Sequence, residues 1–172
     1  MEHNSKEVDG FRFLPPGLAA WILTFIPDGK FEGPIPWTPL DKPLSSARVA
    51  LVTSAGISLK SDPPFDMERE KLNPDYGDPT FRVLPKATTA TDVNVNHLHI
   101  NTSYILEDLD VMLPLARMAE LEAEGIVESL APSTYSFYGF QWGGTEFLNK
   151  AITPMAQQMK AEGVDAVLLT PA

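Results

Sequence analysis

The chain closes with an unbroken apolar run, residues 166–169 (AVLL), a few residues after Gly163. A run without polar alternation is typical of a strand that is buried on both faces of a parallel sheet. In open parallel sheets, ligands bind just beyond the carboxyl ends of the strands. We therefore expect a functional site beside the final residues, and we expect the rest of the chain to build the sheet around them.

A second apolar run, residues 48–53 (RVALVT), predicts another buried strand. It leads into Ser54, Ala55 and Gly56, small residues that allow a tight turn and a close approach of the backbone to a ligand. The turn has neither GxGxxG nor GxxxxGK[ST], so a nucleotide site is not favoured. Five prolines and alternating charges predict a long ordered loop over residues 61–85 with at most one helical turn, and loops of that length are often functional.

The segment 92–100 (DVNVNHLHI) alternates like a strand, which predicts that His97 and His99 lie on the same face. Two such side chains could hold an anionic substrate, transfer protons or bind a metal. A hydrogen-bonded pair of purely structural histidines is equally favoured on spacing alone. A metal is least favoured, because the sequence has no evident third ligand nearby.

Further elements complete an α/β order. Helices are predicted over residues 110–124 and 145–162, and a strand over residues 133–140. The expected buried residues of the two helices are Val111, Leu115, Met118 and Leu121, and Leu148, Ile152, Met155 and Met159. The order predicts an α/β fold with a three-layer, partly parallel sheet of the Rossmann or flavodoxin-like kind. Because only two helices are well formed, we expect the sheet to be incomplete at its C-terminal side.

Composition excludes several classes of protein. A net charge of −10 argues against nucleic-acid binding, since phosphates require a basic surface. The chain has no cysteine, so it has no disulfide, thiolate metal site or cysteine nucleophile. The apolar segment 17–26 is about half the length of a membrane span and lacks the features of a signal peptide. We therefore expect a cytoplasmic protein without a membrane span.

Two regions are predicted along the chain. Residues 1–36 are rich in proline and aromatic residues, which favours an arm, with one short helix, that covers a hydrophobic surface of the same domain or of a second subunit. Its aromatic residues include Trp21, Phe25 and Phe31, and Trp37 follows directly. Residues 37–172 are predicted to form a single α/β domain.

The second region resembles the selenoprotein B family, the substrate-specific components of glycine, sarcosine, betaine and D-proline reductases. No single motif decides the resemblance; it depends on many segments that occur in order. These segments are residues 38–44, 48–56, 60–66, 77–82, the His97-x-His99 strand, and residues 108–132, 135–139 and 163–171.

The resemblance implies a specific chemistry. In the family, a selenocysteine or cysteine follows the LLTP strand, attacks a substrate held as an imine or iminium on a partner's carbonyl group, and reductively breaks a C–N bond. This chain ends at Ala172, before that position, and so lacks the nucleophile. Two explanations of this ending are together favoured: a selenocysteine codon was read as a stop, or the chain is a fragment that another polypeptide completes. The less favoured explanation is a family member that has lost the nucleophile and kept a binding role.

Topology and resemblance together assign candidate site residues. His97 and His99 are the candidates for substrate anchoring or proton delivery, and Thr170 and Pro171 would position the nucleophile. The candidate substrate-binding residues are Thr53, Ser54, Gly56, Lys60, Asp62 and Thr170. The expected partners are a small polar substrate and either a second copy of the chain or a partner reductase subunit. The alternative is a non-catalytic small-molecule-binding or assembly subunit; a hydrolase is least favoured, because neither GxSxG nor HExxH occurs.

Overall fold

The computed structural model describes residues 10–24, 38–139, 141 and 144–172. The chain divides into two compact units, Met1–Thr38 and Pro39–Ala172. The described part of the first unit contains a 3-10 turn and helix α1 (Pro16–Leu23), in which no residue is buried. Trp21 lies on α1, whereas Phe25, Phe31 and Trp37 lie outside the described residues. Across the described ranges, no helix is both long and apolar enough to cross a membrane.

The second unit contains seven strands and five short helices among its described residues. The strands are β1 (Arg48–Thr53), β2 (Ile57–Leu59), β3 (Phe81–Pro85), β4 (Val93–Val95), β5 (Ser129–Leu130), β6 (Ser133–Phe137) and β7 (Ala166–Thr170). The helices are α2 (Met67–Leu72), α3 (Ser103–Glu107), α4 (Leu115–Ala123), α5 (Gly144–Phe147) and α6 (Thr153–Ala161).

Strand β1 is the centre of the main sheet. On one side it pairs in parallel with β7 along residues 49–53. On the other side it pairs in parallel first with β5 and then with β6, while β3 runs antiparallel to β6. Strands β2 and β4 form a separate antiparallel pair. The parallel strands β1, β6 and β7 therefore have their carboxyl ends at the same edge of the sheet.

Hydrophobic cores lie on both faces of β1, because successive side chains of a strand point to opposite faces. Val49 and Leu51 belong to one core, together with Ile105 of α3 and with Leu115 and Met118 of α4. Ala50 and Val52 belong to the other core, together with Ala151 and Met155 of the last helical segment. Helices thus pack on both faces of a mostly parallel sheet, which confirms the predicted α/β class.

The predicted burial of the last strand is wrong. β7 forms where the apolar run predicts a strand, but the exposed fractions of Val167, Leu168 and Leu169 are 43%, 43% and 67%. Among the described residues, β7 pairs only with β1 and lies at the edge of the sheet. Its apolar side chains form a strand because of their β propensity, whereas their burial requires a neighbour on the outer side.

The predicted helix over residues 110–124 is shorter than expected. A 3-10 turn (Leu109–Val111) comes first, and α4 begins only after Pro114, which occupies the N-cap position. Leu115 and Met118 are buried as predicted, but Val111 is 55% exposed because it lies in the preceding turn. Gly125 has a φ of +68° and ends the helix as predicted.

The predicted helix over residues 145–162 contains a π-helical segment, Leu148–Ile152, just before Pro154. Proline has no N–H and cannot make the usual i→i−4 hydrogen bond, so a change of helical geometry before it is expected. This change of geometry alters which side chains face the core. Ala151 and Met155 are buried, whereas Leu148 and Ile152, which were expected to be buried, are exposed. In the loop predicted over residues 61–85, α2 supplies the one helical turn that was allowed for, but the strand β3 at its end was not predicted.

Candidate functional site

The carboxyl ends of β1 and β7 are held together by hydroxyl and backbone groups. The Thr53 Oγ1 donates a hydrogen bond of 3.1 Å to the Thr170 carbonyl oxygen, and the Ser54 backbone N–H donates to the same oxygen at 3.2 Å. The Thr170 Oγ1 donates to the Met112 carbonyl oxygen at 2.7 Å, and the Ala172 N–H donates to the Ser54 Oγ at 2.8 Å. Three of the predicted binding residues, Thr53, Ser54 and Thr170, are therefore brought together.

A depression of about 410 Å³ opens at this edge of the sheet. It is lined by Val52, Ser54, Phe137, Leu169, Thr170 and Pro171. Thr53 is not part of the lining, because its side chain is fully buried and its hydroxyl is used within the protein. Mainly apolar walls with a few polar groups and a volume of this size are typical of a small-molecule site.

Gly56 joins this edge to the β2–β4 pair. Its φ is +64°, and a Cβ atom there would lie 2.2 Å from the Asn96 carbonyl oxygen. The Gly56 N–H donates to the Phe137 carbonyl oxygen at 3.0 Å, and the Asn96 Nδ2 donates to the Gly56 carbonyl oxygen at 3.0 Å. Gly56 therefore permits the tight turn that the sequence predicts here, because a residue with a side chain would not fit this backbone conformation.

His97 and His99 are brought together, but the strand predicted over residues 92–100 is shorter than expected and does not reach them. β4 ends at Val95, and the two histidines lie in the irregular segment that follows, which bends from Leu98 onward. The side chain of Asn96 bonds back to Gly56 and Ser58, and the His99 N–H donates to the His97 Nδ1 at 3.1 Å. The contacts of Asn96 are long-range and hold the end of β4 against the turn at Gly56, whereas the bond between His99 and His97 is local and belongs to the bent segment.

Glu70 and Tyr138 complete this group, and neither was singled out from the sequence. The His99 Nε2 lies 2.8 Å from the Glu70 Oε1, and the Tyr138 hydroxyl donates to the Glu70 Oε2. The His97 ring stacks on the Tyr138 ring at 5.6 Å between centroids and meets the His99 ring edge-on at 5.9 Å. We refer to Glu70, His97, His99 and Tyr138 as the histidine cluster.

The histidine cluster adjoins the depression through neighbouring residues. Gly139 follows Tyr138 and packs against Ser54, since a Cβ atom on Gly139 would lie 3.0 Å from the Ser54 carbonyl oxygen. Ala55 and Tyr138 are also bridged as in an antiparallel ladder. The turn after β1 thus lies between the histidine cluster and the predicted residues at the strand end.

Burial decides the protonation states that the structure favours in this cluster. Partial burial lowers the pKa of His97, and the neighbouring His99 lowers it further, while Glu70 opposes both effects. Burial, followed by the interaction with Glu70, raises the pKa of Tyr138 well above its usual range. His97 is therefore neutral and Tyr138 is a hydrogen-bond donor at neutral pH.

Lys60 and Asp62 lie elsewhere. The rungs of the β2–β4 ladder run from Ile57–Val95 to Leu59–Val93, so Lys60 follows the end that is remote from Gly56. The Lys60 Nζ donates to the Thr91 carbonyl oxygen at 2.7 Å, and the Asp62 Oδ2 accepts from the Leu59 N–H at 3.2 Å. Lys60 lines a separate open depression of about 430 Å³, which also involves Thr91 and Asp92.

The carboxylates of Asp66 and Asp78 have structural roles. Asp66 caps α2 by accepting from the Arg69 N–H at 3.0 Å, and the buried Asp78 accepts from the backbone of Asp66 and Thr80. Within the ranges that the structure describes, no three His, Asp or Glu side chains form a group suited to a metal ion.

Residues 30–172 match the profile of a protein family described as glycine/sarcosine/betaine reductase selenoprotein B. The chain belongs to this family. The match confirms the resemblance that the sequence segments indicated, and it contains every residue of the depression and of the histidine cluster.

Relatives in the family are longer than this chain. The chain is 37% identical to the D-proline reductase subunit gamma of Acetoanaerobium sticklandii, over 78% of its own length and 52% of the relative. It is 34% identical to the glycine reductase complex component B subunit gamma of Carboxydothermus hydrogenoformans, over 79% of its length and 30% of the relative. A protein with the same name from Symbiobacterium thermophilum is 34% identical, over 79% of this chain and 31% of that protein. The chain thus spans between about a third and a half of these relatives, and no solved structure matches it.

Proposed function

We propose that this chain is the substrate-binding component of a reductase that cleaves the C–N bond, or a similar bond, of a small amino acid or amine. The observation that carries the proposal is the depression beyond β1 and β7, which adjoins the histidine cluster in a member of this family. The attacking thiolate or selenolate comes from outside these 172 residues, because they contain no cysteine.

The depression suits a small ligand with both polar and apolar parts. Val52, Phe137 and Leu169 offer apolar contacts, while Ser54 offers a hydroxyl group. The names of the relatives, D-proline reductase and glycine reductase, support an amino acid as the ligand class.

The same names support the proposed partners, since each relative is called a subunit. We infer that this chain works in the cytoplasm with a partner reductase subunit that supplies the carbonyl group, or as a homo-oligomer. The candidate substrate-binding residues at the depression are Ser54, Thr170 and, as supports of its wall, Thr53 and Gly56. Lys60 and Asp62 form a second, separate candidate region.

Ligand binding tests the proposal directly. Glycine, sarcosine, betaine and D-proline are titrated into the chain by calorimetry, and one of them is expected to bind. Ser54→Ala is expected to weaken that binding about tenfold, the value of one lost hydrogen bond. Ser45→Ala is the matched control, because Ser45 is exposed and precedes the opposite end of β1. If none of the ligands binds, or if both variants bind equally, the depression is not the substrate site.

The alternative function is a non-catalytic small-molecule-binding or assembly subunit. His97→Ala and His99→Ala separate the two functions in the assembled reductase. In a substrate-binding component that takes part in catalysis, each variant lowers turnover by about 10²–10⁴-fold. In an assembly subunit, both variants keep the partners and the turnover.

A further inference from the structure

Glu70 is an unusual residue for a short surface helix. Its side chain is 4% exposed although it lies on α2, and both of its oxygens have partners in the histidine cluster. A carboxylate so far out of water is expensive unless hydrogen bonds compensate for the lost hydration. The fold therefore holds this carboxyl group at one place, and His99 and Tyr138 are its side-chain partners.

The contact with Glu70 determines the tautomer of His99. An ionised carboxylate accepts hydrogen bonds and donates none, so the proton of a neutral His99 lies on Nε2, facing the Glu70 Oε1 at 2.8 Å. The Nδ1 of His99 then carries the lone pair. In the part of the chain that the structure describes, no hydrogen-bond donor meets this atom, and the His99 side chain is 63% exposed.

The other members of the cluster fix the orientation of this pair. The His97 Nδ1 accepts the backbone N–H of His99, and the His97 ring rests on the Tyr138 ring. The Tyr138 hydroxyl in turn donates to the second oxygen of Glu70. The four side chains form a closed circuit of contacts, and a rotation of the His99 ring would break its bond to Glu70 and its edge contact with His97.

We propose that Glu70 and His99 form a proton-transfer dyad, in which the Nδ1 of His99 takes a proton from the ammonium group of a small amine or amino-acid ligand. The ligand N–H bond breaks, its electron pair stays on nitrogen, and a new N–H bond forms at Nδ1. Glu70 stabilises the resulting imidazolium without taking the proton. The neutral amine then has the lone pair that it needs to attack a carbonyl group. This step is built on the proposed function, and Glu70 is its positioning residue.

Imidazole NMR tests the dyad without any assay of turnover. Long-range ¹H–¹⁵N spectra of the chain at about pH 8, where a free imidazole is neutral, are expected to show the His99 proton on Nε2. In Glu70→Gln the Nδ1–H form is expected to appear, because the carboxylate no longer selects one tautomer. Glu68→Gln is the matched control: Glu68 is on the same helix, 81% exposed and paired with Lys71. A wild-type His99 with its proton on Nδ1, or equal spectra in all three proteins, overturns the proposal.

Turnover in the assembled reductase tests the role of the dyad. Glu70→Gln and His99→Ala are expected to lower kcat about 10²-fold with little change in KM, and added imidazole is expected to restore part of the activity of His99→Ala. Glu68→Gln is expected to match the wild type. Full turnover in Glu70→Gln overturns the dyad while the proposed function stands. A wild-type complex that turns over no amine ligand overturns the proposed function and the proton transfer together.

Discussion

At the scale of single residues, Gly56 has the least room for a side chain among the glycines that the structure describes. Its φ is +64°, and the Asn96 carbonyl oxygen occupies the space of a Cβ atom at 2.2 Å. Gly56→Ala is expected to lower the free energy of unfolding by about 3 kcal/mol or more, because it adds a clash to the backbone strain. Urea denaturation followed by circular dichroism measures this loss.

Gly125→Ala is the matched control for this prediction. Gly125 has a similar φ of +68°, but a Cβ atom there would meet nothing within 4 Å. This variant carries only the strain of the left-handed conformation and is expected to lose about 1–2 kcal/mol. Equal losses in the two variants would show that the contact between Gly56 and Asn96 is not tight.

His97 is expected to make stability depend on pH. Its pKa is lowered in the folded state, first by burial and then by His99, against the opposing effect of Glu70. The unfolded chain, with an ordinary pKa near 6.5, therefore takes up this proton first as the pH falls. The contribution of neutral His97 to the free energy of unfolding is fully present above about pH 6.5. It is lost as the pH falls toward the lowered pKa that His97 has in the folded state.

The measurement is the urea midpoint of the wild type and of His97→Gln at several pH values between about 7.5 and 5. The wild type is expected to lose stability more steeply than the variant over this window. Tyr138 does not titrate there, since its pKa is raised. Parallel curves for the two proteins would mean that His97 does not carry the dependence.

At the scale of elements, β1 and β7 have similar sequences and opposite environments. Leu51 of β1 is fully buried, whereas Leu169 of β7 is 67% exposed. Leu51→Ala is expected to cost about 2–5 kcal/mol of unfolding free energy, because it leaves a cavity between sheet and helices. Leu169→Ala is expected to cost less than about 1 kcal/mol. A loss at Leu169 as large as that at Leu51 would show that β7 is covered in solution.

The same comparison shows what the sequence can predict about elements. Apolar runs located β1 and β7 correctly, because strand propensity is a local property. The exposure of β7 could not be predicted, since it depends on which element lies beside it. The helix boundaries near Pro114 and Pro154 were predicted only approximately, because proline marks a change in backbone geometry without specifying a 3-10 turn or a π-helix.

The candidate site was predictable in part for a related reason. His97 and His99 were singled out by their spacing, although an irregular segment rather than a strand holds them. Glu70 was missed because it is one of several charged residues in α2, and its partner Tyr138 lies 68 residues away in the sequence. The burial of a carboxylate depends on such distant contacts, which no local pattern contains.

At the scale of the whole molecule, the net charge of −10 sets a background of self-repulsion. The ion pairs of the described residues are mostly exposed and contribute little to stability. Added salt is therefore expected to weaken the repulsion between like charges more than the attraction within these pairs. Raising sodium chloride from about 10 mM to about 300 mM should therefore raise the thermal midpoint by about 2–4 °C. Differential scanning calorimetry at constant pH measures the shift, and a lower midpoint in salt would show that the ion pairs dominate.

The exposed apolar side chains of β7 also affect how stability changes with temperature. The heat capacity of unfolding arises mainly from apolar surface that becomes hydrated when the chain unfolds. Val167, Leu168 and Leu169 already contact water in the folded protein, so much of their surface adds nothing to the heat capacity of unfolding. The stability curve of this chain is accordingly flatter than its length alone implies, and its stability changes less on cooling than that of a fully enclosed sheet of the same size.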